Sequence, residues 1–474
     1  MNKYGIVSKQ NLMIFLKILS VALLIIQTIV APFYPIFGTP INIVIVGLAF
    51  IATLIVVFDK SIFKCKFFLW VLPFFVSVCI SIVLNYQLNF VDNVQVAIIL
   101  FVNLFIFFLG YDTDKTKLKN NIFKFSNYTG VAVLVTSIIG FLMYAANKFL
   151  WLYSYRYSGL FTNPNIASLV TSVGVITSLI ALSMINVNKN EIKGHKYLKV
   201  VHIANVILSF FMNVIANSNT GKISLCMLIV VVTFFMLYGM KTKKGKKVSV
   251  ILSGIISIVM VVVLIATMTV TLKVAEYIPY LSENISLIFD ESIDHTDSDN
   301  DSDSDKRHPE KTNLNREESD IPADNGRFSI WKQGISSLNN DMMFGCAPRN
   351  IYNAVVEEYG DDAIPAIAGG GLHNMFVEIL ATTGVVGFAT FMIFVLRVFL
   401  YIAKYFFVDK CNVEDRKMLV FMLGAVCMLF VTNFTESVIV FSVNMYSMAF
   451  WIILGFLVNY IMLDEKERKY KNEL

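Results

Sequence analysis

The sequence predicts an all-α polytopic membrane protein of about twelve transmembrane helices, with one large extracytoplasmic loop carrying short amphipathic helices. Three observations point there. Hydrophobic residues make up 56% of the 474 and charged residues 15%, where a soluble chain would carry roughly 25% charged residues. The apolar residues fall in runs long enough, at about 18 residues or more, to cross a bilayer. Lysine and arginine concentrate in alternate connections, which is the signature of membrane topology.

The runs lie near 12–31, 41–58, 67–84, 94–111, 128–147, 165–185, 200–216, 220–239, 248–270, 384–406, 416–432 and 438–461. The first is not expected to be a cleavable signal, because no small-residue cleavage site follows it and Pro32 and Pro35 lead straight into the second. With the N-terminus placed in the cytoplasm, the segments that fall inside hold 26 lysines and arginines. The short outer connections hold only Lys148 and Arg156. Both termini are therefore expected to be cytoplasmic. The chain divides into nine spans over 1–270, a large outer loop over 271–372, three spans over 373–463 and a cytoplasmic tail over 464–474.

The net charge of +5 follows from this topology and is not evidence for nucleic acid binding. "KTKKGKK" (241–247) reads as a cytoplasmic anchor against anionic lipid. Of six cysteines only Cys346 is expected outside, so an outer intrachain disulfide is excluded, and no zinc-ligand spacing exists. Lys17 and Arg397 are the charges set within spans, both toward the cytoplasmic half, within snorkelling reach of water.

In the large loop, 294–320 is acidic and of low complexity and is expected to be a disordered insert. Asp299, Asp301, Asp303 and Glu310 resemble a calcium loop, but Ser304 stands where that turn needs glycine. The Asp-x-Asp triplets find no α/β domain that could use them in a sugar-nucleotide transferase. Beyond the insert, Phe328, Trp331, Ile335 and Leu338 recur at helical spacing. They predict an amphipathic helix on the outer membrane face, capped by Asp324 or Asn325.

Polar residues collect at the outer ends of the spans. Arg156 precedes "SGLFTNPNIAS", where Asn163 can cap and Pro164 begin a helix. "NSNTGK" (217–222) opens the eighth span, "GGGLHN" (369–374) leads into the tenth, and "NFTES" (433–437) joins the last two. An ion-coupled transporter would instead hold its polar groups at mid-depth on repeated halves. A phosphate-loop reading of "ANSNTGKIS" (216–224) fails because Ala216 replaces the first glycine and ATP is absent outside.

Guanidinium groups clamp phosphate or pyrophosphate bidentately. Without ATP outside, the energy for bond formation must arrive with the substrate, as in a lipid-linked pyrophosphate sugar. Arginines would stabilise the leaving pyrophosphate, and His373 could orient or deprotonate an attacking hydroxyl. No cofactor and no metal is called for. Glu378, five residues beyond His373, lies about 140° round a helix and is expected to be structural. Glu436 ranks below the arginines and the histidine. His195, His202, His295 and His308 receive no role.

Four stretches resemble the O-antigen ligase and O-antigen polymerase (Wzy-type) family of bacterial membrane glycosyltransferases. They are "RYSGLFTNPNIAS" (156–168), "NSNTGKIS" (217–224), "GRFSIWKQGISSLNNDMMFGCAP" (326–348) and "GGGLHNMFVEILATTGVVGF" (370–388), in the family's usual order. The resemblance runs over roughly 130–460. It implies a bacterial plasma-membrane enzyme that transfers a glycan from undecaprenyl pyrophosphate without metal or nucleotide. It also implies Arg156 and Arg327 as pyrophosphate contacts, Arg349 as a third, and His373 as the residue that activates or positions the acceptor. Asn219 and Thr220 stand where many members show Ser-Arg, which makes Lys222 the substitute cation. The acidic insert is not a family feature.

Within the family the lysine-, asparagine- and isoleucine-rich composition favours a polymerase of polysaccharide repeats (capsule, exopolysaccharide or O-antigen) over a ligase. Such a composition suits a bacterium lacking the lipid A core that a ligase would need. The alternatives are that ligase or, in a different class, a flippase or exporter of lipid-linked sugars. The implied partners are an undecaprenyl pyrophosphate-linked glycan, membrane lipid and other polysaccharide-assembly proteins such as a flippase or chain-length regulator.

Overall fold

The computed structural model describes residues 9–29, most of 40–55, 65–109, 114–146, 152–153, 156–187, 194–238, 248–279, 326–339, 341–364, 371–408, 414–442 and 444–473. The acidic insert 294–320 with its calcium-like window, the basic stretch 241–247, Lys148, Cys411, Asp324 and Asn325 lie outside the described residues.

Helices run as α1 (Lys9–Ile29), α2 (Phe68–Leu84), α3 (Phe90–Phe101), α4 (Lys115–Ala145), α5 (Pro164–Val187), α6 (His195–Ile215), α7 (Asn219–Tyr238) and α8 (Val250–Ala275). The short α9 (Arg327–Ser336) and α10 (Ile351–Tyr359) come next, then α11 (Met375–Phe407), α12 (Arg416–Val431) and α13 (Met445–Glu473). Nine helical stretches among the described residues are long and apolar enough to cross a membrane, and Leu12–Ile26 and Phe68–Leu84 are shorter apolar helices. Eleven of the twelve expected spans therefore fall on helices. The second, 41–58, is described only in part. The architecture is that of an all-α polytopic membrane protein, with one small antiparallel hairpin of β1 (Leu152–Tyr153) and β2 (Arg156–Tyr157).

Span ends depart from expectation where backbone geometry changes. The fourth span continues from α3 as a π-helix over Val102–Phe108, whose residues are all buried. It packs on α13, where a Cβ added to Gly455 would lie 2.5 Å from the Phe107 carbonyl oxygen. The last span begins at Met445 rather than at 438. Side chains take over the backbone groups of the intervening segment. Asn433 Oδ1 accepts from the amides of Val438 and Ile439, and the Ile439 carbonyl accepts from Ser447 Oγ and Trp451 Nε1. Irregular backbone of this kind survives among membrane helices only when buried in protein and so satisfied.

The third departure is a break inside α11. Gly384 stands at φ 63°, ψ −168°, where the expected tenth span begins. The break exposes helix carbonyls and amides that the 342–347 loop takes up. Cys346 and Ala347 donate to the carbonyls of Ala381 and Thr382 at 3.1 and 3.0 Å. In return Val385 and Val386 donate to Met342 and Met343 at 3.0 and 3.2 Å. Ser81 Oγ of α2 adds a bond to the Thr382 carbonyl at 2.7 Å. The 342–347 loop and the membrane helix are thus stitched together. Buried in that loop, the Cys346 thiol is pushed up to about 12 by desolvation, which makes it an inert thiol.

Helices α4, α5 and α6 pack through small residues and hydrogen bonds, which replace the hydrophobic drive that lipid cannot supply. A Cβ on Gly174 would fall 2.4 Å from Val133 Cγ1. His202, left without a role above, bridges Ser178 Oγ at 3.1 Å and Asn127 Oδ1 at 3.0 Å. Asn205 beside it donates to the carbonyls of Gly130 and Gly174. His202→Leu strands Asn127 Oδ1 and leaves Ser178 Oγ with Asn205 Nδ2 at 2.8 Å, and should lower stability by about 1–2 kcal/mol. The thermal unfolding midpoint of detergent-solubilised protein measures this, and an unchanged midpoint contradicts it.

Charges gather at the bundle end that the lysine count assigns to the cytoplasm. Lys115 pairs with Asp464 at 2.5 Å, Arg468 with Asp464 at 2.7 Å and Lys119 with Asp415 at 2.7 Å. The first clamps α13 to α4, the second lies within α13, and the third ties α4 to the start of α12. Lys17 does not snorkel: it is 5% exposed, with its Nζ 4.8 Å over the Phe456 ring. An aromatic face inside the bundle offers the ammonium a partner closer than water. Arg397 is exposed and stacks on Trp70.

Candidate functional site

At the opposite end of the bundle, Glu436 is a buried hub. It follows the 3-10 turn Thr432–Phe434 that closes α12. Its Oε2 lies 3.1 Å from His373 Nδ1. Its Oε1 accepts from Asn165 Nδ2 at 2.9 Å, and lies 3.4 Å from both Arg327 Nη2 and Thr220 Oγ1. Residues 165, 220, 327 and 373 come from four separate elements and meet on one carboxylate.

Local sequence explains how each arrives. Pro164 starts α5, and Asn163 Oδ1 accepts the Ile166 amide at 2.9 Å as expected of the cap. That places Asn165 in the first turn. Its Oδ1 accepts from Arg156 Nη2 and Ser218 Oγ, each at 2.8 Å, while its Nδ2 serves Glu436. Only this orientation satisfies a guanidinium on one side and a carboxylate on the other. Arg156 also donates from Nε to the Ala216 carbonyl at 3.2 Å. The β hairpin aims it, and the neighbouring Tyr157 is fixed by a bond to the Gly140 carbonyl at 2.8 Å.

Arg327 opens α9 after Gly326, which takes φ 72° and forms the N-cap. The inward face of that helix is Ile330, Gln333 and Gly334, where Leu372 would meet any Cβ on Gly334 at 2.4 Å. The periodicity assigned the apolar face differently. Phe328 and Ile335 are 66% and 45% exposed, because the tertiary contact follows the smallest residue rather than the largest.

His373 has φ 49°, a left-handed conformation that costs a non-glycine residue energy. Asn374 follows as the cap of α11, accepting from the amides of Phe376 and Val377. Gly371 lies within the described turn, and Gly369 and Gly370 lie outside the described residues. To donate to Glu436, His373 must carry its proton on Nδ1. In the neutral ring Nε2 is then a lone pair, the form a general base needs.

The other two sequence candidates lie elsewhere. Arg349 is exposed beside a polar cavity of about 250 Å³ that Glu378 also lines. Lys222 lines, with Asn217, a largely apolar cavity of about 540 Å³ among α6, α7 and α8. Arg156, Arg327 and His373 are brought together, and Arg349 and Lys222 are not part of that hub. Glu436, Asn165 and Thr220 are the residues that sequence reasoning passed over. One signal was available: Glu436 and Asp92 are the two carboxylates in the short outer connections.

Such a bundle, with Arg327 and His373 on one carboxylate and Arg156 joined to it through Asn165, defines a polytopic membrane protein with a polar site at one face. A family model described as O-antigen ligase matches residues 204–392. Over that stretch, 189 of the 474 residues, the chain is similar to the O-antigen ligase family. The matched stretch includes Lys222, Arg327, Arg349 and His373, while Arg156, Asn165 and Glu436 lie outside it. No curated protein matches the chain.

Proposed function

We propose that the chain polymerises polysaccharide repeat units at the outer face of a bacterial plasma membrane. A growing glycan on undecaprenyl pyrophosphate is the donor, and an incoming lipid-linked repeat supplies the attacking hydroxyl. The observation that carries this reading is the geometry at Glu436, which holds His373 with Nε2 as the basic nitrogen beside two guanidinium groups.

In the reaction, Nε2 of His373 takes the hydroxyl proton as the oxygen bonds to the anomeric carbon of the donor. The bond from that carbon to the pyrophosphate oxygen breaks. Arg327 and Arg156 neutralise the charge that develops on the leaving group. Arg327 reaches Glu436 with only one of its five N–H donors, which leaves the fork available to an anion.

The donor's apolar part has a matching space. A cavity of about 460 Å³ between α7, α11 and α12 runs from Met375 and Val431, close in sequence to the hub, to Phe235 and Phe406 far along the same helices. It is lined by apolar and aromatic side chains, as a polyprenyl chain requires.

Arg327→Lys should lose most activity, because an ammonium cannot reproduce the bidentate fork. The test is the lipid-linked glycan ladder in cells carrying Arg327→Lys, His373→Ala or a deletion of the gene. Single repeats without long chains are the expected result. Long chains retained on the lipid carrier would instead assign a ligase, and near-normal chains in Arg327→Lys would overturn the role of that arginine.

A further inference from the structure

The cavity beside Arg349 has walls that no step of the proposed reaction uses. Glu378 is 8% exposed on the first turn of α11, and its Oε2 has no hydrogen-bond partner among the described residues. Ser437 Oγ, also against the cavity, has none either. Ser442, Tyr352 and Phe441 complete the walls that matter. Two buried polar atoms of neighbouring side chains are costly unless they engage each other or a polar group brought against them.

The fold keeps this space open at the expense of ordinary packing. Gly371 has φ 68°, and a Cβ there would fall 3.0 Å from Glu378 Oε2. The loop bearing Arg349 is fixed from the other side: Asn93 Oδ1 accepts the Arg349 amide at 2.8 Å and Asn89 Nδ2 donates to its carbonyl at 3.1 Å. The turn after Gly371 redirects the chain. Glu378 therefore faces back under residue 371, and the helical angle from His373 does not decide where it points.

The chemistry of the walls selects the occupant. Arg349 would oppose a divalent cation, and the Glu378 carboxyl offers hydroxyl groups an acceptor and, when protonated, a donor. Ser437 offers a hydroxyl, Ser442, whose own hydrogen goes to the Ser437 carbonyl at 3.1 Å, offers an accepting lone pair, and two aromatic rings offer flat apolar faces. Neutral polyhydroxyl rings want that combination. At about 250 Å³ the space holds roughly eight waters, and a hexose displaces roughly six.

We propose that this cavity is a saccharide subsite holding one sugar ring of the acceptor glycan, with Glu378, Ser437 and Arg349 reading its hydroxyls and Tyr352 stacking on its face. Two connections make it the acceptor's side. Gly371 lines the cavity two residues before His373, which addresses the acceptor hydroxyl, and Ser437 directly follows Glu436. Glu378 is in this sense a specificity-determining residue. The assignment rests on the polymerase reading above.

The experiment uses the full-length protein in lipid nanodiscs, with lipid-linked repeats extracted from cells deleted for the gene as substrate. Initial rates are measured for wild type, Glu378→Gln, Tyr352→Ala and Tyr352→Phe. Undecaprenyl pyrophosphate serves as the product inhibitor that reports on the donor side. Glu378→Gln and Tyr352→Ala should raise KM about tenfold or more with kcat within about threefold. Tyr352→Phe should restore most of the loss, and inhibition by undecaprenyl pyrophosphate should be the same in all four. Unchanged KM in both altered forms overturns the subsite while leaving the polymerase reading standing. So does a raised KM accompanied by weaker product inhibition, which would put the defect on the donor. Absence of transfer by the wild type would overturn the polymerase reading and the subsite with it.

Discussion

Glu436→Gln should lower turnover by about 10²–10³-fold while leaving the protein folded. The argument is one of counting donors. In the wild type Oε1 receives Asn165 and faces Arg327 and Thr220, and Oε2 receives His373. Glutamine keeps one acceptor oxygen. If that oxygen serves the donors at Oε1, the amide NH₂ faces His373 Nδ1, which must then accept. The ring proton moves to Nε2, and the base points its wrong nitrogen at the substrate. If the amide turns round, its NH₂ confronts Arg327 and Asn165. Turnover of lipid-linked repeats by purified Glu436→Gln, compared with wild type at equal protein, measures the effect. Activity within a few-fold of wild type would remove Glu436 from the machinery.

Gly384→Ala should prevent accumulation of folded protein. Its φ and ψ belong to a region only glycine visits freely, and a Cβ would lie 2.3 Å from the carbonyl carbon and oxygen of Met343. Relief requires withdrawing the 342–347 loop, with the loss of four backbone bonds that no water inside the bundle can replace. The cost is at least about 3 kcal/mol. Monodisperse protein recovered from membranes should fall about tenfold. Gly254→Ala is the matched control, since nothing lies within 4 Å of its added Cβ. Equal yields of the two variants would contradict the tight approach.

The parts of this molecule that were legible in the sequence are those set by local composition. Apolar runs located eleven helices, and Asn163-Pro164 located the start of α5, because bilayer thickness and capping act on neighbouring residues. The π-turn over 102–108, the break at Gly384 and the late start of α13 were not legible. The first two depend on partners far along the chain, Gly455 and the 342–347 loop, and the third on nearby side chains, Asn433 and Trp451, that bond irregular backbone. The same holds at the site. Arg156, Arg327 and His373 stand out as rare residue types at span ends, whereas Glu436 gains its meaning only from Asn165 and His373 meeting it. At Glu378 the angle between two residues of a helix says nothing, because the first of them, His373, lies in the turn before it.

Helix α13 raises a matter of assembly. It is buried along almost its whole apolar length and touches α1, the π-turn, α4, α5, α11 and α12, yet it follows all of them in the order of synthesis. Its neighbours must wait in the bilayer with their inner faces unmatched until it inserts. Glu436, on which the hub converges, precedes α13 by only nine residues, so the polar site settles with that last insertion. Biogenesis of the protein is in this respect all-or-nothing: a chain halted before α13 would lose both the centre of the bundle and the setting of its site.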